Sequence, residues 1–132
     1  MKSILIAAAL FVTQLSFSQV KNPNSIKVTY VDCSIETFFA IPCHLFETEF
    51  PDDRKYIQIK NSEIIKSKAF VKGFTKIKRN HIDTRGKIEY ILNGRKYKYC
   101  FDCFGVFTDG IHFYNNSQLF KLLKSKCREL NY

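Results

Sequence analysis

The chain reads as an α+β domain: a small, mostly antiparallel sheet of about five or six short strands, with two or three helices packed on one face. Three observations predict it. Asn93-Gly94 sits as a turn between two alternating runs, residues 25–31 alternate with period two, and the chain closes on an amphipathic segment capped by Asn116-Ser117.

Lys2 precedes an apolar run at residues 4–12, ILIAAALFV, and Ser16 and Ser18 place small residues just before a cleavage point. This is the layout of a secretory signal peptide over residues 1–18. The run is too short to span a bilayer, which takes roughly 20 apolar residues. Cleavage leaves residues 19–132 as a single small globular domain, and lowers the formal net charge from +9 to +8 with the loss of Lys2. The expected location is therefore secreted or periplasmic, with no transmembrane segment after signal cleavage.

The elements follow in order. Ile26, Val28 and Tyr30 alternate with Lys27 and Thr29, which reads as a half-buried strand. Pro42 breaks the mixed stretch at 34–50, where residues 43–50 could form a short helix. Residues 56–60 (YIQIK) read as a second strand, closed by Asn61-Ser62. From Ser62-Glu63 a helical pattern is expected: Ile64, Phe70, Val71, Phe74 and Ile77 share an arc of about 140° at helical spacing. Lys68, Lys72 and Lys76 would then stack on the opposite side at i, i+4, i+8, with Gly73 a cost of about 1 kcal/mol inside the helix.

Asn93-Gly94 as a two-residue loop favours a type I′ turn. It sets Leu92 opposite Arg95, Tyr90 opposite Tyr97 and Ile88 opposite Tyr99. One face of that hairpin then carries Ile88, Tyr90, Leu92, Tyr97, Tyr99 and Phe101; the other carries Lys87, Glu89, Lys96, Lys98 and Cys100, with Glu89 facing Lys98. A second hairpin turns at Asp109-Gly110. The last helix, roughly 118–130, presents Leu119, Leu123, Cys127 and Leu130 inward. Its closing Lys124, Lys126 and Arg128 complement the helix dipole.

All five cysteines follow the signal segment, where disulfides can form, and an odd number leaves one unpaired within the chain. Cys100 and Cys103 have C-x-x-C spacing but end a strand-like run, without the helix N-terminus that activates redox thiols. Three residues apart on a straight strand they point to opposite faces, so a mutual bond is disfavoured. Cys103 has the parity of the core face and Cys127 lies on an inward helical stripe. The expected bond is Cys103–Cys127, with Cys33–Cys43 as a possible second pair.

Charge is uneven. Residues 19–53 carry two basic and six acidic side chains, residues 54–98 carry fourteen and three, and the remainder four and three. A ridge of Lys68, Lys72 and Lys76, joined by Lys87, Lys96 and Lys98 on the open sheet face, would suit an anionic polymer or surface. The competing reading is lysine filling solvated faces. Nucleic acid is an unlikely fit, because the hairpin register sends Tyr97, Tyr99 and Phe101 to the core rather than interleaving them with the charges.

Chemistry is sparse. His44 beside Cys43 lacks any sign of a nucleophile–base pair. Asp83-Thr84-Arg85-Gly86 reads as a turn, with Asp83 and Arg85 weighed as a ligand clamp. No phosphate loop, nucleophile elbow, cofactor motif or second pair of metal ligands is found, so neither catalytic residues nor a cofactor or metal are assigned. The expectation is a non-catalytic exported domain that binds another macromolecule, whether a protein or an anionic polymer. The alternatives are a polyanion-binding protein using residues 54–98 and a thiol-redox protein using Cys100 and Cys103.

Overall fold

In the computed structural model, residues 21–131 are described, and seven strands pair into one sheet. They are β1 (Ser25–Tyr30), β2 (Lys55–Lys60), β3 (Thr75–Ile77), β4 (Gly86–Leu92), β5 (Arg95–Phe101), β6 (Val106–Thr108) and β7 (Phe113–Asn115). Every pairing is antiparallel, in the order β2-β1-β4-β5-β6-β7-β3. Three helices accompany them: α1 (Phe46–Glu49), α2 (Asn61–Ser67) and α3 (Ser117–Lys126). The α+β class therefore stands. The expected signal peptide lies outside the described residues, among which no helix is long and apolar enough to cross a membrane.

The hairpin at Asn93-Gly94 forms with the expected register: Leu92 faces Arg95, Tyr90 faces Tyr97, Ile88 faces Tyr99 and Glu89 faces Lys98. Both turn residues have positive φ, 53° and 75°, the left-handed conformation that a type I′ turn demands and that Asn and Gly tolerate. Gly86 in β4 has another role, because a Cβ there would lie 2.1 Å from the Phe101 ring. That ring, fully buried, crosses the sheet face over the missing side chain.

The strand count exceeds expectation by one, and the extra strand is where the long helix was expected. Residues 62–77 do not form one helix. α2 ends at Ser67, where Lys68 turns into the left-handed region at φ 58° and its N–H reaches the Ile65 carbonyl. The Ser67 hydroxyl donates to the Ile64 carbonyl at 2.6 Å and accepts from Ala69 N–H, a local alternative to helical bonding. After a turn with Gly73 at φ 65°, β3 pairs with β7. Of the apolar residues that imitate a helical stripe, Ile64 stays in α2, Ile77 falls in β3, and Phe70 and Phe74 pack from the loop between them. Phe70 meets Tyr90 edge-on at 5.1 Å, and Phe74 stacks on Tyr99 at 4.3 Å.

Ile26, Val28, Ile59, Ile88, Phe101 and Phe107 form the main core face and bury against Ile64 of α2 and Leu119, Leu122 and Leu123 of α3. Removing each such side chain from water is worth about 1.5–3 kcal/mol. Glu63 and Lys126 form an ion pair between the two helices. The other sheet face is not wholly wet, as expected from its lysines. A segment built on Val31, Ile41, Phe46 and Phe50 covers one end of it, bringing α1 to the side opposite α2 and α3. Lys87 reaches Glu47 there at 3.1 Å, and Cys43 reaches Cys100.

The cysteine pairing is corrected. The bonds are Cys33–Cys103, with Cα atoms 6.0 Å apart, and Cys43–Cys100, at 5.7 Å; Cys127 is free and buried. Neither Cys103–Cys127 nor Cys33–Cys43 forms. The reason is local: β5 ends at Phe101, so Cys103 no longer follows strand parity. The Asp102 carboxylate accepts from the N–H groups of Phe104 and Val106, both at 2.9 Å, and curls the chain into a tight turn. Cys103 there meets Cys33 in the loop after β1, and Cys127 is left without a partner cysteine. The expectation that Cys100 and Cys103 do not bond each other holds. The bonds span 70 and 57 residues of sequence, and each is worth about 4 kcal/mol by loop closure.

Candidate functional site

A concavity is built by two segments far apart in sequence: the turn after α2 and the first half of α3. Asn116 joins them. Its Oδ1 accepts from Leu119 N–H at 3.0 Å, capping α3, while its Nδ2 donates to the Ala69 carbonyl at 2.9 Å. Asn116 is only 5% exposed, so both bonds are shielded from water. The tie holds Lys68 and Lys72 across from Lys121 and Lys124, an i, i+3 pair on α3. The resulting cleft is about 550 Å³, and its walls contain four lysines and no carboxylate.

The apolar part of the cleft comes from the turn after Cys103. Gly105, at φ 88°, lets the backbone press against Phe120; a Cβ would come within 3.0 Å of that ring. Lys124 Nζ lies 5.4 Å above the Phe120 ring, a cation–π contact. Phe104 stands at the rim, 80% exposed. Among the described residues, Lys68, Lys72, Lys121 and Lys124 take part in no ion pair. The first turn of α3, the positive end of its dipole, lines the same cleft with Ser117 and Gln118.

The six lysines picked out from sequence are therefore divided. Lys68 and Lys72 line the cleft, on a turn and not on a helical ridge. Lys76 sits on β3 opposite Tyr114, outside the cleft lining. Lys87, Lys96 and Lys98 lie on the far sheet face, where Lys87 pairs with Glu47 at 3.1 Å and Lys96 and Lys98 share Glu89 at 3.7 and 3.8 Å. These contacts do not merge with the cleft. Sequence reasoning missed Lys121 and Phe104, and treated Lys124 only as a dipole complement. The i, i+3 lysines of α3 were a visible signal; the approach of residues 68–75 was not.

The other candidates have structural roles. Arg85, 4% exposed, donates from Nη1 to Asp83 Oδ1 at 2.6 Å and the Thr84 carbonyl at 3.0 Å. Its Nη2 donates to the Ile35 carbonyl and Thr37 Oγ1, and its guanidinium lies over Phe50 at 5.3 Å. The Asp83–Arg85 pair is a clamp on the protein's own loop. Cys43, Cys100 and Cys103 are each held in a long-range disulfide, so Cys100 and Cys103 do not form the bond a C-x-x-C exchange centre uses. Burial, helped by the charge of Glu129, pushes the Cys127 thiol up to about 12, which keeps it protonated. Among the described residues, no group of three or more His, Cys, Asp or Glu side chains could hold a metal ion.

No protein-family model matches this chain, and comparison with curated proteins and with solved structures finds no match either. What fold and site define together, over the described residues, is a disulfide-stapled α+β domain with a lysine-lined cleft.

Proposed function

We propose that this is an exported, non-catalytic binding protein whose ligand is a polyanion held in the cleft between residues 68–75 and α3. The observation that carries this reading is the set of four lysines facing one cleft with no carboxylate in its lining. Like charges are unfavourable at close quarters, and a fold that gathers them without counter-ions is complemented by an anionic ligand. Export is supported by the signal-like residues 1–18 together with two disulfides, which persist in oxidising compartments.

The test is charge reversal at two sites. Lys72→Glu with Lys121→Glu is expected to release the protein from an immobilised sulfated or phosphorylated polymer at much lower salt. Lys96→Glu with Lys98→Glu, on the far face, is expected to change retention far less. Equal losses from both pairs would mean that net charge alone governs binding and that the cleft has no special part.

A further inference from the structure

We propose that the anionic partner of this cleft is a membrane surface, with Phe104 and Phe38 entering the interface while the four lysines meet its headgroups. The inference rests on the reading of the cleft as an anion site. It starts from apolar side chains that the fold holds out in water. Phe104 is 80% exposed, Phe39 55% exposed, and Phe38 fully so. They come from two loops that the Cys33–Cys103 bond fastens together. Thr37, next to Phe38, and Phe104 line one shallow hollow, and Phe104 also lines the lysine cleft. Aromatic tips and free lysines are therefore contiguous at one end of the sheet.

Neither loop is loosely attached. Arg85 holds the Ile35 carbonyl and Thr37 Oγ1, and the Thr37 hydroxyl donates to the Phe39 carbonyl at 2.7 Å. Asp102 grips the N–H groups on either side of Gly105. The exposed phenylalanines are thus presented by fixed supports. Two carboxylates line the hollow: Asp83, which is paired with Arg85, and Glu36, which is exposed.

A soluble anionic polymer would neutralise the lysines and leave Phe38 and Phe104 in water. A bilayer takes up both, because anionic headgroups attract lysine and the acyl boundary accepts aromatic rings. Single-stranded nucleic acid would need successive ring faces along the basic groove. In the cleft Phe104 is the exposed ring, while Phe120 is half-buried and already faces the Lys124 ammonium at 5.4 Å.

The experiment is co-sedimentation with phosphatidylcholine vesicles, with and without one-third phosphatidylglycerol, set beside binding of soluble inorganic polyphosphate. Wild type is expected on the anionic vesicles only. Phe38→Ser with Phe39→Ser, both outside the lysine cleft, is expected to lower vesicle partitioning by about tenfold or more while leaving polyphosphate binding unchanged, which also shows that the variant is folded; adding Phe104→Ser is expected to lower vesicle partitioning further. Lys72→Glu with Lys121→Glu is expected to lose both. Polyphosphate binding without vesicle binding, or vesicle binding indifferent to the phenylalanines, would overturn the membrane inference and leave the polyanion reading standing. Loss of binding to every anionic probe would overturn both. Single-stranded DNA bound more tightly than polyphosphate, and lost in Phe104→Ser, would assign the phenylalanine to stacking and overturn the membrane inference.

Discussion

The side chain of Asn116 caps α3 and reaches 2.9 Å to the carbonyl of Ala69, joining two segments 47 residues apart. The same residue thus closes a helix end and positions one wall of the lysine cleft. Asn116→Ala removes both bonds inside a buried site and is expected to cost about 2–3 kcal/mol. Asn116→Asp keeps an acceptor for Leu119 N–H but has no donor for Ala69, so it is expected to be intermediate in stability. It also places a negative charge in the cleft, so it should weaken polyanion binding more than its stability loss explains. Urea denaturation beside binding measurements separates the two effects; equal stability of Asn116→Asp and wild type would show that the tie to Ala69 contributes nothing.

Arg85 is the counterpart on the other sheet face, with its guanidinium joined to Asp83, Thr84, Ile35 and Thr37. Arg85→Met leaves those carbonyls without their donor and is expected to destabilise by about 2–4 kcal/mol. Arg85→Lys retains charge but not the planar fork, and recovers only part of that. Hydrogen exchange in residues 34–41 should accelerate in both variants. Unchanged protection there would show that the loop is held by the disulfides alone.

What could be read in the sequence was local. The register from Leu92 and Arg95 to Ile88 and Tyr99 follows from two turn residues, and the Asn116 cap from one. β3 was hidden because three residues carry too little alternation, and because Phe70 and Phe74 imitate a helical stripe while packing on Tyr90 and Tyr99. The disulfides were misassigned because strand parity was carried past Phe101, where the Asp102 turn ends the strand. The cleft escaped for a related reason. Lys68 and Lys72 were visible as cations, but their meeting with Lys121 and Lys124 depends on long-range pairing of Thr75 with Asn115.

The thiol count discriminates between the pairings directly. With Cys127 fully buried and its thiol held protonated, the native protein is expected not to react with an aromatic disulfide or maleimide reagent. In denaturant without reductant, a single thiol should react, and peptide mapping should place it at Cys127. Cys127→Ala should leave both bonds intact. Removing Cys33 and Cys103 together, or Cys43 and Cys100 together, is expected to cost about 4 kcal/mol in either case. Recovery of a peptide joining Cys103 to Cys127 would contradict the structure.

Two carboxylates should respond to pH with opposite signs. The Lys55 ammonium, hydrogen-bonded at 2.6 Å, holds Glu129 below the ordinary value of 4.5. A lowered folded value means that its stabilisation is fully present above 4.5 and is lost as pH falls through that window. Asp102 is the reverse: burial raises it above 3.8, and the N–H groups of Val106 and Phe104 offset only part of that. Its folded form binds protons more readily than its unfolded form, so stability is favoured at low pH and declines as pH rises through the interval above 3.8. Asp102→Asn keeps an oxygen acceptor for the same two N–H groups and cannot ionise. Against wild type, its relative stability is therefore expected to improve from about pH 3 to about pH 7, on top of any constant offset from the amide. Glu129→Gln should show the opposite trend, losing ground to wild type over the same range. Urea melts at several pH values give both slopes, and parallel curves for Asp102→Asn and wild type would mean that burial of this carboxylate imposes no penalty on its charge.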